Sequence, residues 1–227
     1  SHLREEGNLD LDDKKVQMIL DHCLTMMAAG MHTTSSVLTF SLYNLSRHPR
    51  VLKKLKQELH TVFGDDWKGN PERMVAFDQL SRLEYMTKVM QETLRLYNPV
   101  PLLVDYIAKR DLDFEDLKIK KGTTVAISPM LLHHNSDTWS DAEEFNPDRK
   151  ELESNDPPVF VPFGFGKHRC LGQFFALQEA KLVMSKVLLQ FDLHCHEKDP
   201  LEFESRVVLE MKGGLPCDIS LTNPKQK

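Results

Sequence analysis

Apolar residues return every three or four positions from Val16 to about Leu45, the repeat of one helix face, and predict a single long helix. Just before it, Asp10-Leu11-Asp12-Asp13 offers carboxylates to the unsatisfied N–H groups and positive end of that helix. Gly30 stands at its centre, where glycine costs roughly 1 kcal/mol against alanine. A kink, a close approach to a ligand, or simple tolerance by tertiary packing would each account for it. His48-Pro49 ends the helix, because the residue before proline disfavours the helical region, and Pro49 suits the first turn of a next helix, Arg50 to about Phe63. Gly64 to Pro71 reads as a turn-rich loop. A further helix runs from about Leu83 to Tyr97, with Tyr85, Val89, Met90, Leu94 and Tyr97 at helical spacing, until Asn98-Pro99-Val100-Pro101 stops it.

The period then shortens. Leu102 to Ala108, Leu117 to Ile119 and Thr123 to Ile127 read as extended segments, the last two flanking a turn at Lys120-Lys121-Gly122. A loop rich in Pro, Asp and Asn covers Asp141 to Pro158. Phe160 to Gly172 follows, then a strong helix from Leu171 to about Gln190. The tail alternates strand-like pieces, with Gly213-Gly214 as a hairpin turn. The expected fold class is mainly α with small β-sheets, and residues 1–227 read as a single domain.

Composition narrows the function classes. Hydrophobic residues make up 41% and charged residues 28%, ordinary for a globular protein. Lys and Arg total 29 against 34 Asp and Glu, a formal charge of −5, so the basic footprint of a nucleic-acid binder is missing and no nucleic-acid partner is expected. The four cysteines, Cys23, Cys170, Cys195 and Cys217, form neither a disulfide framework nor a C-x-x-C zinc pair; reduced thiols in a reducing, cytosol-facing compartment are the expectation. No apolar run approaches the roughly 20 residues that span a bilayer. The polar start at Ser1 lacks a signal-peptide core and reads as a cut from something longer.

One segment carries chemistry: Phe163-Gly164-Phe165-Gly166-Lys167-His168-Arg169-Cys170-Leu171-Gly172. Glycines on both sides of the cysteine let the backbone turn tightly and approach a flat ligand. A helix start at Cys170, with Lys167, His168 and Arg169 beside it, favours thiolate over thiol. A thiolate is the donor a haem enzyme uses to promote oxygen–oxygen cleavage. The alternative for such a cysteine is a buried free thiol at a glycine-rich turn.

All ten residues fit the cysteine-ligand signature of the cytochrome P450 family, and the chain resembles the C-terminal part of that fold. The resemblance implies heme b (iron protoporphyrin IX) held through Cys170, with His168 on a haem propionate and Phe163 packed near the thiolate. Gly164, Gly166, Arg169 and Gly172 complete that cofactor loop, and Gly30 faces the cofactor from the long helix. Three further elements follow the family order. Glu92-Thr93-Leu94-Arg95 sets an acid and a base three apart on one helix face. Alone, such a pair is usually a solvated surface bridge. In the family it is buried and joined by an arginine, here Arg149 of Phe145-Asn146-Pro147-Asp148-Arg149, in a structural role. Ala29-Gly30-Met31-His32-Thr33-Thr34 matches the oxygen-side helix, with its kink near the glycine and Thr33 as the hydroxyl that helps protonate dioxygen.

Two departures stand out. His32 replaces the usual Asp or Glu; either the imidazole relays protons in its place, or oxygen activation is altered. Asp105 and Tyr106 occupy the region where many relatives carry a propionate-binding arginine, so haem anchoring is weaker here or rests on other groups. The leading expectation is a monooxygenase that inserts one oxygen atom of dioxygen into an apolar substrate, with electrons from a reductase or ferredoxin. Leu102, Leu103 and Val104 are expected to face the substrate. A peroxide-using or peroxide-rearranging haem-thiolate enzyme is the second reading, and a silent fragment the third. Substrate contacts, further propionate contacts and any membrane anchor are expected outside this chain. His133-His134 reads as loop packing. His194 and His196 share one side of a strand without further ligands.

Overall fold

The computed structural model describes residues 12–64, 74–153, 160–196, 201–205 and 208–222, with the backbone alone at Val104 and Asp105. The N-terminal periodicity becomes helix α1, Asp13–Arg47. Asp12 caps it, its carboxylate accepting from Lys15 N–H at 2.8 Å and satisfying one of the orphan first-turn donors. Asp10 and Leu11 lie outside the described residues. α1 runs through Gly30 as one continuous helix. No described atom lies within 4 Å of a Cβ placed on Gly30, so packing against this chain does not demand glycine at that point. Burial divides α1 in two. Thr34, Ser36, Val37, Phe40, Ser41, Tyr43, Asn44 and Leu45 are buried. Met18, Leu24, Met26, Met27 and Met31, earlier in the helix, are not covered by the described residues.

Helices α2 (Pro49–Phe63) and α3 (Phe77–Ser81) lead into α4 (Glu84–Leu96). The residue before α4 is Leu83, which has no side-chain acceptor. The cap comes instead from Glu58 of α2, whose carboxylate accepts from Tyr85 N–H at 2.6 Å and Met86 N–H at 2.9 Å. One contiguous core joins Leu45 of α1, Leu55 and Leu59 of α2, and Met86, Val89 and Met90 of α4. After the short helix α5 (Pro129–His133), Met184 and Leu188 of α6 (Gln173–Gln190) complete it.

The strands form four two-stranded antiparallel sheets: β1 (Leu103–Ile107) with β4 (Thr124–Ile127), β2 (Leu112–Asp113) with β3 (Lys118–Ile119), β5 (Phe191–Cys195) with β8 (Cys217–Leu221), and β6 (Phe203–Ser205) with β7 (Leu209–Met211). Mainly helix with small sheets is the expected class, but the hairpin expected at Gly213-Gly214 does not form. Lys120-Lys121-Gly122 joins β3 to β4, and Gly213-Gly214 joins β7 to β8; in each case the flanking strands pair elsewhere. Short strands take their register from distant packing, which the turn residues do not encode. β7 lies on α1: Ser36 Oγ donates to Leu209 O at 2.6 Å, and Leu209 N–H donates to Pro99 O at 2.8 Å. Phe40 stacks on Tyr97 in the same cluster, centroids 4.6 Å apart. Among the described residues, no helix is long and apolar enough to cross a membrane.

Candidate cysteine-ligand site

The loop ahead of α6 folds back on its own backbone. Gly164 N–H donates to Val161 O at 3.0 Å, Arg169 N–H to Gly166 O at 3.3 Å, and Cys170 N–H to Phe163 O at 2.8 Å. Between them Gly166–His168 makes one 3₁₀ turn. Gly164 (φ 72°) and Gly166 (φ 61°) adopt left-handed backbone, which other residues reach only at a cost. A Cβ on Gly164 would also meet His168 O at 3.7 Å and Leu103 Cδ1 at 3.8 Å. The cysteine therefore hangs from a backbone tied to itself at three N–H groups, its own among them.

α6 begins at Gln173, not at Leu171 as the periodicity suggests; Leu171-Gly172 forms a turn, and Gly172 is the cap residue. Cys170 thus precedes the helix instead of opening it. Its thiol is free and exposed, and Leu171 beside it is 86% exposed. A Cβ on Gly172 would touch Cys170 Sγ at 3.9 Å. Arg169 Nε donates to Gln173 Oε1 at 2.7 Å, which ties the loop to the first turn of α6. Lys167 and His168 face solvent, and Phe163 is half-buried. Tyr106 stacks on Phe165 at 6.1 Å and meets the His168 ring edge-on at 5.9 Å. The position lacking an arginine thus holds an aromatic wall for the loop. The side chains of Asp105 and Val104 lie outside the described residues. Leu102 is exposed.

Glu92, Arg95 and Arg149 come together in the interior. Arg95 donates to Glu92 through Nε (2.8 Å to Oε2) and Nη2 (2.9 Å to Oε1), and Arg149 Nε donates to Oε1 at 2.7 Å. Asn146 N–H adds a bond to the same oxygen at 3.0 Å. The remaining guanidinium donors reach carbonyls of His133, Ala142 and Glu144 from Arg95, and of Ser140, Asp141 and Glu144 from Arg149. Asp141 takes φ 47° in the loop that presents these carbonyls. The Arg95 guanidinium also lies 5.3 Å from the Trp139 ring.

His133 packs beside this cluster against Trp139 and Phe160. Val161 N–H donates to its Nε2 at 3.0 Å, so the neutral ring carries its proton on Nδ1. Burial, then the nearby Arg95 charge, pushes its pKa down to about 4. Its neighbour His134 bonds Glu143 at 2.9 Å.

On α1, Thr33 Oγ1 donates to Ala29 O at 2.8 Å within its own helix. His32 Nδ1 lies 3.1 Å from Glu210 Oε1 of β7. An ionised carboxylate only accepts, so that contact places a proton on Nδ1 and leaves Nε2 as the acceptor of the neutral ring. Glu210 lies 178 positions along the chain and carries no motif signal of its own.

The residues present fit a haem. Among the described residues, no three His, Cys, Asp or Glu side chains converge on a metal position. A single exposed thiol suits a metal that brings its own ring of ligands. Cationic Lys167 and Arg169 near it suit the acidic edge of such a ring.

Comparison with known proteins bears on the family of the chain. The sequence profile described as Cytochrome P450 matches residues 3–217. Cytochrome P450 3A5 of Homo sapiens is 38% identical over 186 residues, 80% of this chain and 36% of the relative. Cytochrome P450 3A16 of Mus musculus is 37% identical over 187 residues, with the same coverage. Cytochrome P450 3A41 of Mus musculus is 35% identical over 209 residues, 88% of this chain and 40% of the relative. The chain therefore spans little more than a third of the length of these relatives. With the matched stretch covering nearly every element described above, the chain belongs to the cytochrome P450 family.

Proposed function

We propose that Cys170 is the axial thiolate ligand of a heme b, and that the protein completed by this chain is a monooxygenase acting on an apolar organic substrate. Its co-substrate would be dioxygen and its electron source a reductase or ferredoxin. The observation that carries this reading is the exposed Cys170 thiol, held by a self-paired glycine loop in a family member. The bound cofactor supplies the oxygen chemistry; this chain holds and tunes it. Phe163 and the glycines at 164, 166 and 172 would lie on the cofactor side of the loop, with Gly172 nearest the thiol, where an added Cβ would sit 3.9 Å from Cys170 Sγ. His168 and Lys167 stand exposed for acidic groups of the cofactor, while Tyr106 buttresses His168. Glu92, Arg95 and Arg149 act structurally, fixing the loop from His133 to Asn146 against α4. His32 and Thr33 are the proton-handling residues, with Nε2 of His32 as the accepting atom. Residues 1–227 constitute part of one larger domain.

The test is haem titration followed by a reduced, carbon-monoxide difference spectrum, with Cys170→Ala as control. A strongly red-shifted thiolate band that the variant loses is the expected result. A band unchanged in Cys170→Ala would overturn the ligand assignment. Haem uptake by the complete protein but not by residues 1–227 would make this chain a silent piece of the enzyme.

A second reading, peroxide-driven turnover, is favoured by two observations: the imidazole at position 32, and a Thr33 hydroxyl already donated to Ala29. Turnover of a hydroperoxide without reductase would select it, and strict dependence on an electron donor would exclude it.

A further inference from the structure

Cys195 ends β5 and Cys217 opens β8, and the register sets them directly opposite each other. At one end of this ladder His196 N–H donates to Pro216 O at 2.8 Å, and at the other Thr222 N–H donates to Gln190 O at 2.9 Å. Both are hydrogen-bonded pairs. The strict alternation of an antiparallel ladder therefore makes Cys195–Cys217 a non-hydrogen-bonded pair. Such pairs bring their Cα atoms to about 4.5 Å with both side chains on one face, inside the roughly 4.4–6.8 Å window that a disulfide spans. Cys195 is buried and Cys217 half-buried.

We propose that Cys195 and Cys217 are a redox-modifiable dithiol, which a low-molecular-weight disulfide of the glutathione class converts to an intrachain disulfide joining β5 to β8. The more accessible Cys217 sulfur, as thiolate, attacks the sulfur–sulfur bond of the oxidant. One reduced small thiol leaves, and a mixed disulfide remains. Cys195 then attacks the Cys217 sulfur, loses its proton to solvent and expels the second small thiol. Two electrons and two protons pass from the pair to the oxidant, and one protein disulfide is gained.

Burial, with Cys195 alongside, pushes the Cys217 thiol up to about 12. The thiol form therefore dominates at neutral pH, the first attack is slow, and it quickens as pH rises. This makes the site a guarded one that responds to sustained oxidation. The closed segment runs from 196 to 216 and contains β7, which meets α1 through Leu209–Ser36 and Glu210–His32. Oxidation consequently restrains the strand that touches the proton-handling part of α1. The site itself needs no haem, so it stands whether or not the functional reading above holds.

The experiment is incubation of the native, complete protein with oxidised glutathione at mildly alkaline pH. Alkylation of the remaining thiols and non-reducing peptide mapping follow. The expected product is a linked pair of peptides containing Cys195 and Cys217, two hydrogens lighter than the sum of the reduced peptides. Cys217→Ser should leave no link. The oxidised protein should unfold several degrees above the reduced form, a shift absent in Cys217→Ser. A link that forms only after unfolding in urea, or separate glutathione adducts on the two cysteines, would overturn the proposal.

Discussion

The cluster around Glu92 and the loop ending at Cys170 both gather polar groups from distant parts of the sequence, but they are finished differently. Glu92, Arg95 and Arg149 are withdrawn from solvent, at 0%, 0% and 5% exposure, and their charges are met by one another and by backbone carbonyls. The cysteine loop pairs three backbone N–H groups and ties one side chain, Arg169, to Gln173, and leaves the rest uncovered. From Phe165 to Gly172 its side chains point outward. The first region is complete within this chain. The second presents a thiol, cations and apolar surface that the described residues do not cover. Covered and uncovered groups thus sit in separate places, and substitutions should separate their effects.

The largest effect should come from the first region. Glu92→Ala would leave two buried guanidiniums without their shared anion, a loss of about 3–5 kcal/mol. Urea unfolding checks it, and a loss below about 1 kcal/mol would show that the cluster is not the stabilising centre. Acid should act on the same region through His133. Its folded pKa, about 4, lies below the unfolded value of 6.5, so the unfolded chain binds more protons between them. Stability should be full above pH 6.5 and fall by about 3 kcal/mol as pH drops towards 4. A His133→Gln variant should flatten that slope.

Smaller effects are expected in the loop. Gly164→Ala forces an L side chain into φ 72° and should cost about 1–2 kcal/mol. Thermal unfolding measures this, and a neutral result would mean that the loop relaxes freely. Smallest of all for stability should be Cys170→Ala, within about 0.5 kcal/mol because the thiol is exposed. The same change should abolish the thiolate spectrum. If Cys170→Ala instead unfolded the protein, the division drawn between the two regions would fail.

Much of this division was readable beforehand where the signal is local. The bounds of α1, α2 and α4 follow from apolar period, Asp12 and Pro49, and fall within a few residues of the expectation. The fold class and the family followed from motifs in order, and the matched profile agrees with both. What escaped was set by long-range packing. Nothing in Lys120-Lys121-Gly122 reveals that β4 pairs with β1. Leu83 gives no hint that Glu58 caps α4 from another helix. The Glu210 partner of His32 and the Tyr106 contact with His168 arise because β7 lies on α1 and β1 on the cysteine loop. A single sequence carries no period or spacing for such pairs.

The seating of β7 on α1 also sets a timetable. Ser36 and Leu209 are 173 positions apart, and the cluster of Phe40, Tyr43, Leu209 and Met211 is built from both ends of the described chain. During synthesis α1 emerges well before β7, so this part of its surface waits for partners made 173 positions later. Contacts of such high sequence separation slow folding and leave apolar surface waiting. A nascent chain stalled before Leu209 should therefore recruit chaperones through Phe40 and Tyr43, and release of the C-terminal strands should be the event that ends the association.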